Sequence, residues 1–424
     1  MMNKNKVADA LRVLSRFIAY AGPALIVSIG YMDPGNYGTD IQGGAAHGYT
    51  LLWVVWLASS MAMLLQYLSG KLGIATGLSL PEIIRQKLQK KIYIIPYWLS
   101  AEIVAATTDL AEYLGTVIAL NLLFGVPLIY AAIFGALDVI IILGLTTKRF
   151  RMLEQLFLLF VSVISFGYIY EVLVAKPDPA QIIYHSFVPS VINSSALLVA
   201  VGVIGATVMP HVIFLHSALT RDKVKGSTVE QRSRFRKYHL TETIIILTIA
   251  GAINAIIMIM AAVAFNPSNS NIQSISEAYK TLIPLFGLVA ANIFLITLLS
   301  SGIASSIVGT LAGQVIMEGL LGKKVNVWLR RFITRFINVI PTTIAIFIGI
   351  DPLHILVYSQ VALSILIPLP IIPLVILTKN KALMGQFVNR KITTAVASLF
   401  VGIIVILNAY LLLQFKCEYA RLLF

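Results

Sequence analysis

Asp33-Pro34-Gly35-Asn36 sits near the middle of the first long apolar run of the chain. Ala24, Leu25, Ile26, Val27 and Ile29 precede it, and a small, mostly uncharged stretch follows to Gly48. A carboxylate at mid-membrane depth costs about 2.5–3.5 kcal/mol on insertion scales, so one kept there marks a functional site. Pro34 and Gly35 break the helix beside it. A helix broken at that depth frees carbonyls and helix ends to hold ions. The four residues read as an ion site.

The rest of the composition agrees. Of 424 residues, 58% are hydrophobic and only 12% charged, with a mean hydropathy of +0.89. A soluble chain carries roughly 25% charged residues, so this is a polytopic membrane protein of the all-α class. The single cysteine, Cys417, excludes a disulfide within the chain and a Cys-ligated metal site. The basic N-terminal region (Lys4, Lys6, Arg12, Arg16) enters the first span without a small-residue cleavage site, so no cleavable signal peptide is expected.

About 20 apolar residues cross a bilayer. Eleven windows qualify: 18–46 (broken), 50–72, 93–123, 127–146, 152–174, 194–220 (broken), 239–264, 283–312, 330–350, 353–377 and 393–415. They divide the chain into a cytoplasmic segment 1–17, a transporter core 18–377 and an additional eleventh span at 393–415. With the N-terminus inside and the C-terminus outside, 28 of the 32 Lys and Arg fall on inner segments; only Lys176, Lys280, Lys416 and Arg421 lie outside. That asymmetry is the positive-inside signature. The net charge of +14 is therefore topology, not nucleic-acid binding. The basic loop 221–239 also suits contact with anionic lipid.

Span 6 contains a second break, Gly205-Ala206-Thr207-Val208-Met209-Pro210-His211. Pro210 removes a backbone donor and frees carbonyls on the preceding turn. Five spans separate the breaks, so spans 1 and 6 cross in opposite directions. Paired interruptions in two inverted halves point to a transport site at the midplane. The halves show no clear residue identity, and the repeat rests on spacing.

The breaks offer a mixed donor set. Asp33 supplies an anionic oxygen, Asn36 an amide oxygen, Ala206 a freed carbonyl and Met209 a thioether. The oxygens alone suit Mg²⁺ or Ca²⁺; the sulfur shifts preference towards Mn²⁺, Fe²⁺ and Cd²⁺. Gln360 in span 10 is a buried amide able to complete the shell or to bridge helices. In span 3, Glu102, Asp109 and Glu112 share one helix face over about 15 Å. Three acids must face protein or water. They read as a proton relay, as structural ion pairs with Arg335 of span 9, or as both. His211 and His216 follow the second break, with proton transfer or hydrogen bonding favoured for His211 and a balance with metal binding for His216. Asp138, Glu154 and Glu242 read as structural or helix-end groups. Asp351-Pro352 opens an outer loop, and Gly43-Gly44 reads as a tight turn with small-residue packing.

At these residues the chain resembles the Nramp family of divalent metal transporters, whose bacterial members are proton-coupled manganese transporters of the MntH type. The two breaks, Thr108-Asp109-Leu110-Ala111-Glu112, the stretch Gly309 to Gly319 and Ser359-Gln360-Val361 carry the resemblance in order along essentially the whole chain. It implies a LeuT-type fold of two inverted five-span repeats working by alternating access. It implies Asp33, Asn36, Met209 and the Ala206 carbonyl as metal ligands, joined by Gln360 in some states. Protons are then expected to leave through His211, Glu102, Asp109, Glu112 and Arg335. Val212 and Ile303 depart from the family pattern, replacing an Asn and a Gln, and neither is a proposed ligand.

The expected function is a secondary importer of Mn²⁺ or Fe²⁺, also accepting Cd²⁺ and Co²⁺, driven by proton co-transport at a bacterial cytoplasmic membrane. No cofactor, nucleic acid or obligatory protein partner is expected; the partners are the metal ion, the proton and the bilayer. No phosphate-binding loop of the Walker type is present, and no His-Glu-x-x-His or Gly-x-Ser-x-Gly motif suggests an enzyme. The rivals are a sodium-coupled organic solute carrier on the same fold, and a passive channel or metal sensor.

Overall fold

A computed structural model describes residues 22–136, 150–190, 193–266 and 275–423. The expected cytoplasmic segment 1–17, Asp138, the end of span 4 and the side chain of Glu154 lie outside what it describes. Every regular element among the described residues is helical.

Span 1 is two helices, α1 (Pro23–Gly30) and α2 (Pro34–His47). Proline occupies the first turn of each, where its missing N–H costs nothing and its fixed φ suits the helix. Next come α3 (Leu52–Thr76), α4 (Leu80–Leu88), α5 (Lys91–Phe124), α6 (Leu128–Ala136), α7 (Phe150–Ala175) and α8 (Pro179–Phe187). Span 6 repeats the device as α9 (Ser194–Val208) and α10 (Pro210–Lys223). Met209 links the two with φ 37° and ψ 91°, a left-handed conformation that costs a non-glycine residue about 1–3 kcal/mol. The chain ends with α11 (Val229–Phe265), α12 (Ile275–Leu321), α13 (Val327–Phe347), α14 (Pro352–Leu366), α15 (Pro368–Thr378), α16 (Lys381–Met384) and α17 (Lys391–Leu423).

Seven of these spans are long and apolar enough to cross a membrane by themselves, among the described residues. Span 1 falls short because its halves are brief and α2 is polar. Span 9 falls short because Arg330, Arg331 and Arg335 interrupt its apolar run. Span 10 bends at Ile367–Pro368 into α14 and α15, and span 8 is kinked at Gly287, where φ is 87°. The structure adds helices within the loops that the apolar windows did not contain. Of these, α4 opens with a Ser79–Glu82 capping box, and α8 turns back by 120° from α7.

Gly43-Gly44 is not a turn. Both residues lie inside α2, which stops at Gly48 with φ 60°. The small-residue packing expected there is present: a Cβ on Gly44 would run into the Met258 carbonyl of α11. Gly115 of α5 likewise leaves room for the Pro34 ring, which sets span 3 against the first break. Asp351 caps the start of α14 by accepting from the Leu353 N–H.

Gly44→Ala is therefore expected to lower stability by about 1–3 kcal/mol through overpacking. Gly402→Ala, with open space around the new methyl, is expected to be neutral or slightly stabilising. Thermal unfolding of both in one detergent decides; equal midpoints would show that α2 and α11 do not depend on that contact.

Candidate metal site

The first break is organised by Asp33, the N-cap of α2. Its Oδ1 accepts from the Asn36 N–H at 2.9 Å and from Asn36 Nδ2 at 2.7 Å. Asn36 Nδ2 also reaches the Ala206 carbonyl across the bundle at 3.3 Å. Its Oδ1 accepts from Thr207 Oγ1 and Asn254 Nδ2, each at 3.2 Å. The two breaks are thus joined directly, through Asn36, at one level of the bundle.

Other spans take up the carbonyls that the break exposes. Asn254 of α11 donates to the Tyr31 carbonyl at 3.0 Å, and Ser301 of α12 donates to that of Met32. Glu242 Oε1 accepts from the Gly22 and Ala24 N–H groups at 2.7 and 3.1 Å, capping α1 from α11. That is a helix-end role as expected, served on a neighbouring helix.

Several buried oxygens around the breaks have no donor among the described residues: Asp33 Oδ2 and Gln360 Oε1, and also Asn254 Oδ1 and both oxygens of Asp40. Asp33 and Gln360 meet over Gly35: a Cβ there would sit 2.9 Å from Asp33 Oδ2 and would collide with the Gln360 amide nitrogen and carbon. The Met209 thioether reaches across to α1, its sulfur 3.0 Å from where a Gly30 Cβ would be. The C-terminal ends of α1 and α9, both negative dipole ends, point into this region. Carboxylate, amides, carbonyl and thioether therefore converge. No cluster of three or more His, Cys, Asp or Glu occurs among the described residues, so the centre is a mixed-donor site with one formal charge.

The acids of span 3 meet span 9. Glu102 Oε2 accepts from Arg330 Nη2 at 2.9 Å. Asp109 Oδ1 pairs tightly with Arg331 and lies 3.5 Å from Arg335 Nη1, while its Oδ2 accepts from Asn338 at 2.8 Å. Ser306 of α12 accepts from both arginines, at 2.6 and 2.8 Å. The expected partner Arg335 is thus the secondary contact, and its guanidinium lies over the Tyr113 ring. Arg331 and Asn338 were missed, although 331, 335 and 338 have the i, i+4, i+7 spacing of one helix face. Glu112 is buried against Gly309 of α12, with Oε2 unpartnered.

His211 Nδ1 lies 3.2 Å from Thr108 Oγ1, beside Asp109, so it connects the second break to the acid column. His216 faces the other way. Its Nδ1 is 2.9 Å from Gln66 Oε1 on α3, and its ring packs edge-on against His239, with centroids 4.8 Å apart. Val212 is buried beside Met209 against Gly30.

Two discontinuous helices meeting at a polar centre, inside an otherwise apolar helical membrane bundle, define a membrane transporter rather than an enzyme. A family profile described as "Natural resistance-associated macrophage protein-like", Nramp, matches residues 24–414, and the chain belongs to that family. It is 42% identical over 402 residues to a divalent metal cation transporter MntH of Deinococcus radiodurans, covering 95% of this chain and 91% of that protein. It is 44% identical over 398 residues to an MntH of Acidiphilium cryptum, covering 94% and 90%. The crystal structure of the Eremococcus coleocola manganese transporter, bound to an aromatic bis-isothiourea compound, superposes with a TM-score of 0.84 at 33% identity, covering 93% of this chain and 86% of that one.

The Arg331–Asp109 pair generates a test. Arg331→Ala strands a buried carboxylate and is expected to cost about 3–5 kcal/mol. Adding Asp109→Asn should recover part of that loss. A double variant less stable than the single one would show that stranded charge is not the source.

Proposed function

We propose that this chain is a secondary importer of divalent transition-metal ions, Mn²⁺ or Fe²⁺ with Cd²⁺ and Co²⁺ as further substrates, coupled to proton co-transport by alternating access. It works in a bacterial cytoplasmic membrane with the N-terminus inside and the C-terminus outside. Spans 1–5 and 6–10 act as inverted halves, and span 11 lies beyond them. The names of the relatives support the substrate class.

The observation that carries the reading is that two unpartnered buried acceptors, Asp33 Oδ2 and Gln360 Oε1, belong to residues that meet over Gly35, with the Met209 thioether reaching across from the second break to Gly30. Buried acceptors without donors are costly; a cation satisfies both. The Asn36 NH₂ group lies between Asp33 and the Ala206 carbonyl, in the place a cation takes. Metal entry then requires the Asn36 amide to turn over. Its oxygen comes onto the ion and its NH₂ turns to the Thr207 hydroxyl, which accepts as readily as it donates, while Asn254 must present its donor-free Oδ1 to that NH₂ in place of Nδ2. A proton displaced from Asp33 has His211, Thr108 and the acids of span 3 on one side of it. Metal and proton compete for one carboxylate, so the affinity of the site for metal weakens as pH falls and transport is pH-sensitive.

In proteoliposomes, Asp33→Ala is expected to abolish uptake; normal manganese transport by that variant would remove the site assignment. Met209→Ala is expected to weaken Cd²⁺ uptake more than Mn²⁺, by roughly tenfold (about 1.4 kcal/mol), and to relax exclusion of Ca²⁺ and Mg²⁺. Unchanged selectivity would make the thioether packing only. Internal pH read alongside uptake tests the coupling: a metal flux with no accompanying acidification overturns co-transport while leaving the metal site standing.

A further inference from the structure

We propose that the cavity between α4, the start of α5 and the end of α12 holds the phosphate headgroup of an anionic phospholipid. The cavity measures about 680 Å³. Arg85, Lys91 and Lys323 bring positive charge to it from three separate elements, over an apolar floor that includes Ile94, Ile95 and Leu320. None of its nine lining residues is acidic.

Three features distinguish it from a merely basic membrane face. First, Lys90 and Lys91 open α5, and no side chain caps that helix. Cations at a helix N-terminus oppose its dipole, and uncapped N–H groups there invite an anion. Second, Arg85 is laid across the Gly322 turn, where φ is 71° and a Cβ would collide with its guanidinium. Its Nε is buried without a partner among the described residues. That cation is held in place rather than left to solvent. Third, Ile92, Ile95 and Leu99 run down the same flank of α5 at i, i+3 and i+7, exposed by 72, 45 and 49%. They form an apolar track leading out of the cavity along the membrane-facing side, which suits an acyl chain and serves no purpose for a free anion. The positive-inside bias accounts for the sign of these charges, but not for their convergence, the uncapped helix or the track. Basic pockets between membrane helices hold anionic headgroups by this arrangement.

The test uses the full-length protein in phosphatidylcholine nanodiscs containing increasing phosphatidylglycerol, read as the thermal unfolding midpoint. A saturable rise is expected for the wild type. For the triple variant Arg85→Gln, Lys91→Gln, Lys323→Gln, half-saturation should require roughly a hundredfold more phosphatidylglycerol. Lys379→Gln, Lys381→Gln, Lys391→Gln, exposed lysines on a different basic segment, should respond as the wild type does. Inorganic phosphate and glycerol 3-phosphate should leave the midpoint unmoved. The proposal is overturned if the triple variant saturates like the wild type, if both triple variants lose the response equally, or if phosphate alone reproduces the rise. The midpoint in pure phosphatidylcholine reports whether the triple variant folds. If it does not, exposed Lys323→Gln alone must still shift half-saturation in the same direction, and an unshifted curve overturns the assignment.

Discussion

The centre of the bundle is governed by the backbone groups that two broken helices release at membrane depth, where no bulk water can take them. Each released group has a specific partner. Glu242 takes the first N–H groups of α1, Asn254 the Tyr31 carbonyl, Ser301 the Met32 carbonyl and Asn36 the Ala206 carbonyl. These partners come from spans 1, 7 and 8, so satisfying the breaks also ties the helices together. A break that left many such groups unsatisfied would melt; here side chains of neighbouring spans take up several of them. Asp33 Oδ2 and Gln360 Oε1 are among the buried acceptors left without a donor, on residues that meet over Gly35.

The buried charges follow the same logic at a second level. Three carboxylates on span 3 would be intolerable without counter-charge, and span 9 supplies three arginines. Matching is uneven. Asp109 is held by Arg331, Arg335 and Asn338 together, while Glu102 has Arg330 and a hydrogen bond from Trp98. Glu112, closest along the helix to the Pro34–Gly115 contact, keeps one oxygen without a partner. An anchored acid fixes the relation of span 3 to span 9. An acid with a spare oxygen can exchange a proton without dismantling that relation. The column therefore acts as a brace through Glu102 and Asp109, while Glu112 is left outside the bracing pairs.

The breaks were legible because proline acts locally: Pro34 and Pro210 start helices wherever the chain takes them. The face shared by Glu102, Asp109 and Glu112 was legible from helical period alone. The partners were not, because pairing between helices depends on their rotation and tilt. Arg331 looked like one more basic residue of a helix end until span 9 was placed against span 3. Asn254 and Ser301 were hidden for a related reason: a lone amide or hydroxyl in an apolar run is compatible with many interhelical bonds. Gly43-Gly44 was misread as a turn because glycine permits turns, whereas here the absent side chain is what matters. The helices α4 and α8 are short and carry too little apolar length to register as spans.

Two of the spans that carry the site's polar groups, 1 and 9, are the ones hydropathy recognises least, and enclosure within the bundle is what permits it. Span 6 is 94% buried over its apolar window, whereas α17 is only 22% buried. A helix facing lipid must be apolar all round, so its composition is set by the membrane. A helix enclosed by others is released from that demand and can carry a break, a carboxylate or three arginines. Spans 1 and 9 use that freedom fully, and fail the apolarity test as a result. Enclosure comes at the expense of mobility, since a helix packed on every side cannot shift without its neighbours. The two breaks lie where enclosure is greatest, and half-helices hinged at Asp33 and Met209 offer movement of part of a span while the rest stays packed. In this fold the same interruption that gathers carboxylate, amide and thioether side chains at one level also places a joint in each of the two spans that carry them.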